Sequence, residues 1–291
     1  MDDKVRQQAV DLHDRFTHDG MERRDFFAAM TRIAGGAAAA NLLIGSIAAS
    51  PAAAAIVPAD DKRLRGAMTT LEAGATSYKA YVAEPRARAA RRGTVIVVHE
   101  NRGLNEHTKD VARRLALAGF HAVAPDFLSP SGGTPASEDE AREAIGKLDL
   151  GASTAAGAAM LDALRARRGG TGKVGVVGFC WGGAYVNRLA VAASDKLSAG
   201  VVYYGTAPDP AEAARVSAPL LIQLAGLDTR VNKSGFPWVT ALRGAGKPVT
   251  FQLYDGVNHA FNNDTSAERY DKAAAELAWK RTLAFFRKHL S

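Results

Sequence analysis

At 291 residues, 47% hydrophobic and 23% charged, the chain has the composition of a soluble globular protein and enough length to bury a substantial core in one α/β domain. Its single cysteine excludes an internal disulfide and leaves too little for a cysteine-based metal site. The formal charge of +7 does not point to nucleic acid. Lysine and arginine are scattered apart from small clusters at 86–92 and 165–168, and no basic helix or stacking platform accompanies them.

Residues 1–55 read as a leader and residues 56–291 as the folded domain. After a polar start comes Glu22-Arg23-Arg24-Asp25-Phe26-Phe27, then a weakly hydrophobic, alanine-rich stretch from 33 to about 49, then Ser50-Pro51-Ala52-Ala53-Ala54-Ala55. An arginine pair followed by Phe, a mild apolar core and small residues at a cleavage site resemble a twin-arginine export signal. The expectation is a periplasmic or secreted protein, although Glu22 stands where such signals usually carry Ser or Thr. The apolar core is too short and too rich in Gly and Ala for stable membrane insertion. The alternative is a cytoplasmic protein whose residues 4–16 and 22–34 are helices packed on the domain.

Beyond residue 60 strands and helices alternate. Residues 77–83 are strand-like, and 94–98 form a continuous apolar run suited to a buried parallel strand. Helical periodicity follows at 109–118, closed by Gly119, then a strand at 120–124. A Gly/Pro/Ser-rich loop spans 129–135, and helices are expected at 137–147 and 153–168. A strand at 173–177 leads into a helix at 184–193. Strands at 199–204, 219–224 and 249–254 follow, with a helix at 234–243 and a long amphipathic helix at 267–289. This alternation implies an α/β-hydrolase-type, mostly parallel central sheet with helices on both faces, and ligands at the strands' C-terminal ends. No interval is long enough for a large cap domain, so the expected site is shallow and covered only by loops.

Between the strand at 173–177 and its helix stands Gly178-Phe179-Cys180-Trp181-Gly182-Gly183. Strand, sharp turn and helix around G-x-nucleophile-x-G make a nucleophile elbow, here with sulfur in place of the usual serine oxygen. Gly178 and Gly182 let strand end and helix start approach closely, so that the turn holds Cys180 strained and outward-pointing. Elsewhere a lone cysteine is most simply a small buried hydrophobe.

A thiol needs a base to become a thiolate, and the base needs an orienting acid. In an elbow architecture the chain order is nucleophile, acid, base. Asp228 follows the strand at 219–224 and His259 follows the strand at 249–254, both at the sheet edge that carries Cys180. Asp255 is an alternative acid, and Asp228 could simply cap residues 230–234. Of the other histidines only His99 also stands at a strand's C-terminal end. The oxyanion formed on attack needs backbone donors: the amide of Trp181, and one from the loop after strand 94–98, His99-Glu100-Asn101-Arg102-Gly103-Leu104-Asn105.

These residues resemble the dienelactone hydrolase family of carboxymethylenebutenolidase-like α/β hydrolases. The matching pieces are V-V-H-E-N-R-G-L-N-E-H at 97–107, A-P-D at 124–126, G-F-C-W-G-G at 178–183, G-L-D at 226–228 and N-H-A-F at 258–261, spread over about residues 75–290. The resemblance implies a catalytic triad on Cys180, Asp228 and His259, and a glutamate, Glu100, that holds the thiol at rest. It places the second oxyanion amide on Asn101. It also implies arginines that hold a substrate carboxylate, one of them four residues after the triad histidine. Here that position is Asn263, and Arg142 lies near the second without aligning to it.

The function expected is cofactor-free hydrolysis of a small-molecule ester or lactone, with no metal and no nucleic-acid partner. The sequence does not specify an oligomeric state. A different class of function would be a thiol-based redox or binding protein on the same fold, in which Cys180 is oxidised or modified and nothing is hydrolysed.

Overall fold

The computed structural model describes residues 2–48, 55–86, 93–167 and 170–291. Most of the 50–55 cleavage-type stretch, most of the 86–92 cluster and Arg168 lie outside these residues.

The sheet is built from eight strands: β1 (Leu64–Ala73), β2 (Thr76–Pro85), β3 (Thr94–Val98), β4 (His121–Pro125), β5 (Val174–Phe179), β6 (Ala199–Tyr203), β7 (Leu220–Ala225) and β8 (Val249–Tyr254). Their order is β1-β2-β4-β3-β5-β6-β7-β8. β1 and β2 pair antiparallel, β2 joins β4 antiparallel, and every other pairing is parallel. The period of two decides which core each side chain enters. Val95 and Val97 face one layer while Ile96 and Val98 face the other, and β5 divides in the same way.

The helices over the first layer are α4 (Glu106–Leu117) and α9 (Lys272–Leu290), through Val111, Leu115, Ala278 and Phe286. Over the second lie α6 (Leu150–Arg165), α7 (Trp181–Ala192) and α8 (Thr229–Gly244), through Met160, Leu161, Leu189 and Trp238. The short α5 (Glu138–Gly146) sits beyond β4. The α/β-hydrolase architecture expected from the alternation is present, with one strand more than expected. β1 carries no apolar alternation because it is an edge, with all but its two ends at least partly exposed. It forms by pairing back onto β2 through the turn at Gly74, whose φ is +66°.

Between residues 3 and 47 lie three helices: α1 (Asp3–His18), α2 (Arg23–Ala34) and α3 (Ala37–Ile47). They share a small core of their own, from Val10 and Leu12 of α1, Phe26 and Met30 of α2, and Leu43 and Ile47 of α3. This bundle lies against the hydrolase domain. Gln7 donates to Asn258 (2.7 Å), Arg269 pairs with Asp14 (3.4 Å), Arg142 donates to the Phe16 carbonyl (3.0 Å), and Ser266 donates to the Ile47 carbonyl (2.5 Å). Among the described residues no single helix is long and apolar enough to cross a membrane, and α2 and α3 are bent by 106° at their junction.

Candidate active site

The β5–α7 turn is as tight as its glycines require. A Cβ on Gly178 would lie 2.0 Å from the Gly182 carbonyl oxygen, and one on Gly182 would lie 2.5 Å from the Val98 carbonyl oxygen. Neither obstacle is a movable side-chain tip, so only glycine fits. The squeezed backbone places Cys180 at φ +53°, ψ −112°, a region non-glycine residues seldom adopt. Two hydrogen bonds pin it there: Cys180 N–H to the Tyr203 carbonyl (3.1 Å), and Ala184 N–H to the Cys180 carbonyl (3.1 Å). Tyr204 (φ +37°) and Ala260 (φ +64°) are the other described non-glycine residues at positive φ, and Tyr204 lines the cavity beside Cys180. The strained backbone gathers at one end of the sheet.

Asp228 and His259 meet at that end. His259 Nδ1 lies 2.5 Å from Asp228 Oδ2, and the two side chains are almost wholly buried. The other Asp228 oxygen accepts from Val231 N–H (3.0 Å), capping α8. The capping and orienting roles are therefore held by one carboxylate, one oxygen for each. Asp255 is exposed. A ring nitrogen of His259 lies within 4.8 Å of the Cys180 sulfur, and Nε2 is buried without a hydrogen-bond partner. For His259, burial disfavours the charged ring, but the negative charges of Asp228 and Cys180 outweigh it and raise the pKa well above 6.5. For Asp228, burial pushes upward, while His259 and its hydrogen bond bring the carboxyl below 3.8. The pair is thus set to be carboxylate and imidazolium at neutral pH.

Trp181 opens α7, so its N–H has no intrahelical acceptor. Trp181 and Asn101 line the same cavity as Cys180, a space of about 230 Å³. His99, the other histidine at a strand end, is a structural element instead. Its Nε2 accepts from Phe127 N–H (3.2 Å), so its Nδ1 is the donor to the Glu100 carbonyl (2.7 Å). Its ring stacks on Trp181 at 5.4 Å, and burial lowers its pKa.

Glu100 differs from the expectation. Its carboxylate accepts from Asn263 Nδ2 (3.0 Å) and Tyr204 O–H (3.4 Å), not from the thiol. Asn263, at the position where the resemblance implies an arginine, is 1% exposed and points at Glu100 rather than into the cavity. The polar neighbour of the sulfur is His18 at the end of α1, with Nε2 at 3.8 Å. The His18 ring packs edge-on against the His259 ring at 5.2 Å. Burial, then the positive charges of His259 and Arg230, hold His18 well below 6.5 and hence neutral.

The expectation of a cover built only from loops is corrected. The cover is helical as well as loop-built, because the polar contacts of α1 dock Thr17 and His18 into the cavity wall. The lone cysteine also stands in a cluster of possible metal-binding atoms, since folding brings two histidines to it from 162 and 79 positions away. Arg142 and Arg230 line the cavity too, each with a buried Nε lacking a hydrogen-bond partner. Arg230 was overlooked, yet its position two residues after Asp228, in the first turn of α8, puts it at the active edge. Nothing in the sequence marks His18 or Tyr204.

Residues 78–290 match the Dienelactone hydrolase family. The protein named Putative carboxymethylenebutenolidase of Escherichia coli O157:H7 is 31% identical over 267 residues, covering 83% of this chain and 94% of its own. Protein usf of Aquifex pyrophilus is 31% identical over 238 residues, covering 78% of this chain and all of its own. Among solved structures, the Putative Dienelactone Hydrolase from Klebsiella pneumoniae subsp. pneumoniae MGH 78578 superposes with a TM-score of 0.70 at 28% identity, over 77% of this chain and 99% of that one. The Dienelactone Hydrolase-like Promiscuous Phosphotriesterase P91 from metagenomic libraries gives 0.68 at 25%, over 79% and 100%.

Proposed function

Because the chain belongs to the dienelactone hydrolase family, we propose that it hydrolyses carboxylic esters or lactones through a thioester on Cys180. The observation that carries this reading is a buried Asp228–His259 pair beside a cysteine held at φ +53° on a strand-to-helix turn. The thiolate attacks the carbonyl carbon, and the Trp181 and Asn101 amides stabilise the oxyanion. His259, as imidazolium, gives its proton to the departing alkoxide, so an alcohol leaves and a thioester remains. In the second step His259 takes a proton from water. The hydroxide attacks the thioester, and the carbon–sulfur bond breaks to return the thiolate and release the acid. This sequence calls for no cofactor.

The cavity supports an anionic substrate. Arg142 and Arg230 line it and bring positive charge, which suits a carboxylate a few bonds from the scissile carbonyl. They occupy the role that Asn263 does not fill. The docking of α1 on the domain favours keeping residues 1–55 in the mature protein, while the Arg23-Arg24 pair favours export to the periplasm or outside the cell. N-terminal sequencing of protein from its native cell tests that point, and an intact Met1 in a cytoplasmic fraction would refute it.

The activity is tested with p-nitrophenyl acetate and a panel of lactones. Cys180→Ala should abolish turnover, and mass spectrometry should find a substrate-derived acyl group on Cys180. Unchanged turnover in Cys180→Ala, or a sulfenic acid on the sulfur with no acyl adduct on any substrate, would reject the hydrolase reading.

A further inference from the structure

We propose that Cys180, His259 and His18 together form a binding site for a soft divalent cation, zinc by its donor types, and that α1 completes it. The sulfur and one nitrogen from each ring lie within 4.8 Å of one another, with the sulfur 3.8 Å from His18 Nε2. Tetrahedral zinc, with Zn–S about 2.3 Å and Zn–N about 2.0 Å, spaces its ligand atoms roughly 3.3–3.6 Å apart. From separations of up to 4.8 Å, the three atoms would draw in by up to roughly 1.5 Å to reach that spacing.

Three independent features favour a metal over a chance cluster. The donors are one thiolate and two imidazoles, a set that suits zinc and excludes magnesium and calcium, which take oxygen. His259 Nε2 is buried and has no hydrogen-bond partner, and His259 is 2% exposed. Its other nitrogen is bound by Asp228 at 2.5 Å, the carboxylate–histidine arrangement that orients a metal ligand. Cys180 and His18 line the 230 Å³ cavity, from which water or a carboxylate would supply a fourth ligand.

Binding takes the Cys180 thiolate as a ligand and occupies His259 Nε2, releasing the imidazolium proton to solvent. The same electron pairs serve the hydrolysis proposed above, so a bound cation silences the enzyme until it is withdrawn. That consequence rests on the hydrolase reading, whereas the coordination does not. Because His18 belongs to the N-terminal bundle, the control depends on a segment outside the 78–290 region matched by the family.

The test uses the full chain, reduced and stripped of metal, titrated with cobalt(II). One equivalent should bring a thiolate-to-cobalt charge-transfer band in the near ultraviolet and the intense visible bands of tetrahedral cobalt. One equivalent of zinc should bleach both. Cys180→Ser should remove the charge-transfer band, and His18→Ala and His18→Gln should each weaken cobalt binding on the order of tenfold or more. Circular dichroism shows whether these variants remain folded, and the glutamine keeps a polar side chain without an imidazole. Failure to bind cobalt, or binding unaffected by both His18 variants, would overturn the site. Ester turnover is measured in parallel. An active enzyme without a cobalt spectrum would discard the metal site and leave the hydrolase, while a cobalt spectrum in a protein that hydrolyses nothing would do the reverse.

Discussion

The sulfur of Cys180 sits 3.8 Å from Nε2 of His18, a residue 162 positions earlier in the chain and at the last turn of α1. With α1 in place Cys180 is only 7% exposed. The sulfur at the sheet edge is therefore screened by a helix from the N-terminal bundle.

That screening should be measurable as thiol reactivity. Gln7 and Asp14 on α1 hold it to Asn258 and Arg269. Each such bond contributes roughly 1 kcal/mol, so removing both should raise the population of the undocked state about tenfold or more. Gln7→Ala with Asp14→Ala should accelerate alkylation of Cys180 by iodoacetamide to that extent. An unchanged rate would mean that α1 does not limit access.

The two roles of Asp228 are separable. Asp228→Asn keeps a side-chain oxygen for the Val231 cap but loses the charge and the hydrogen-bond pattern that orients His259. Ester turnover should fall by about 10²–10⁴ while the thermal midpoint moves little. Asp228→Ala should show the same kinetic loss with an added destabilisation of roughly 1 kcal/mol from the missing cap. Equal midpoints for the two variants would contradict the division.

The pH dependence follows from opposite shifts in one pair. His259 is raised above 6.5, so its contribution to stability is complete below 6.5 and is lost as pH rises through its folded pKa. Asp228 is lowered, so its contribution is complete above 3.8 and is lost as pH falls through its folded pKa. Denaturant unfolding across pH should show a plateau between these limits, and Asp228→Asn should move its alkaline edge to lower pH.

Kinetics should separate two values for the same histidine. In the free enzyme the charge of Cys180 helps to raise His259. In the thioester that charge is gone. The acid limb of kcat should therefore lie at lower pH than the alkaline limb of kcat/KM, which reports the free enzyme. Coincident values would argue against a thioester.

Arg230→Ala should raise KM for an ester carrying a carboxylate by about tenfold, with little effect on a neutral ester of the same size. A charge-assisted hydrogen bond in a partly buried site is worth roughly 1.5 kcal/mol or more. Equal effects on both esters would remove Arg230 from substrate recognition.

Gly178→Ala should be costly for a steric reason, since its Cβ would meet the Gly182 backbone at 2.0 Å. A loss of about 3 kcal/mol corresponds to a fall of roughly 6–12 °C in Tm for a domain of this size. Gly244→Ala, with open space around the added Cβ, is the control and should stay within about 2 °C.

Much of this arrangement was legible in the sequence because the forces behind it are local. The strand-like runs placed β3 and β8 at 94–98 and 249–254, the bounds the structure shows. β1 escaped because an exposed edge strand has no buried face to impose alternation. The partner of Glu100 was misjudged because one carboxylate has many donors within reach, and only the packed positions of Asn263 and Tyr204 select among them.

The amino-acid sequence by itself determined the elbow at Cys180 and the chain order that brings Asp228 and His259 to the same sheet edge. Glycine sterics and the direction of parallel strands act over a few residues and leave a readable pattern. Tertiary structure alone decided that His18 covers the sulfur, that Arg142 and Arg230 face the cavity, and that Asn263 does not. Those outcomes rest on the docking of segments far apart in the chain through individually weak polar contacts, any of which many other residues could have made.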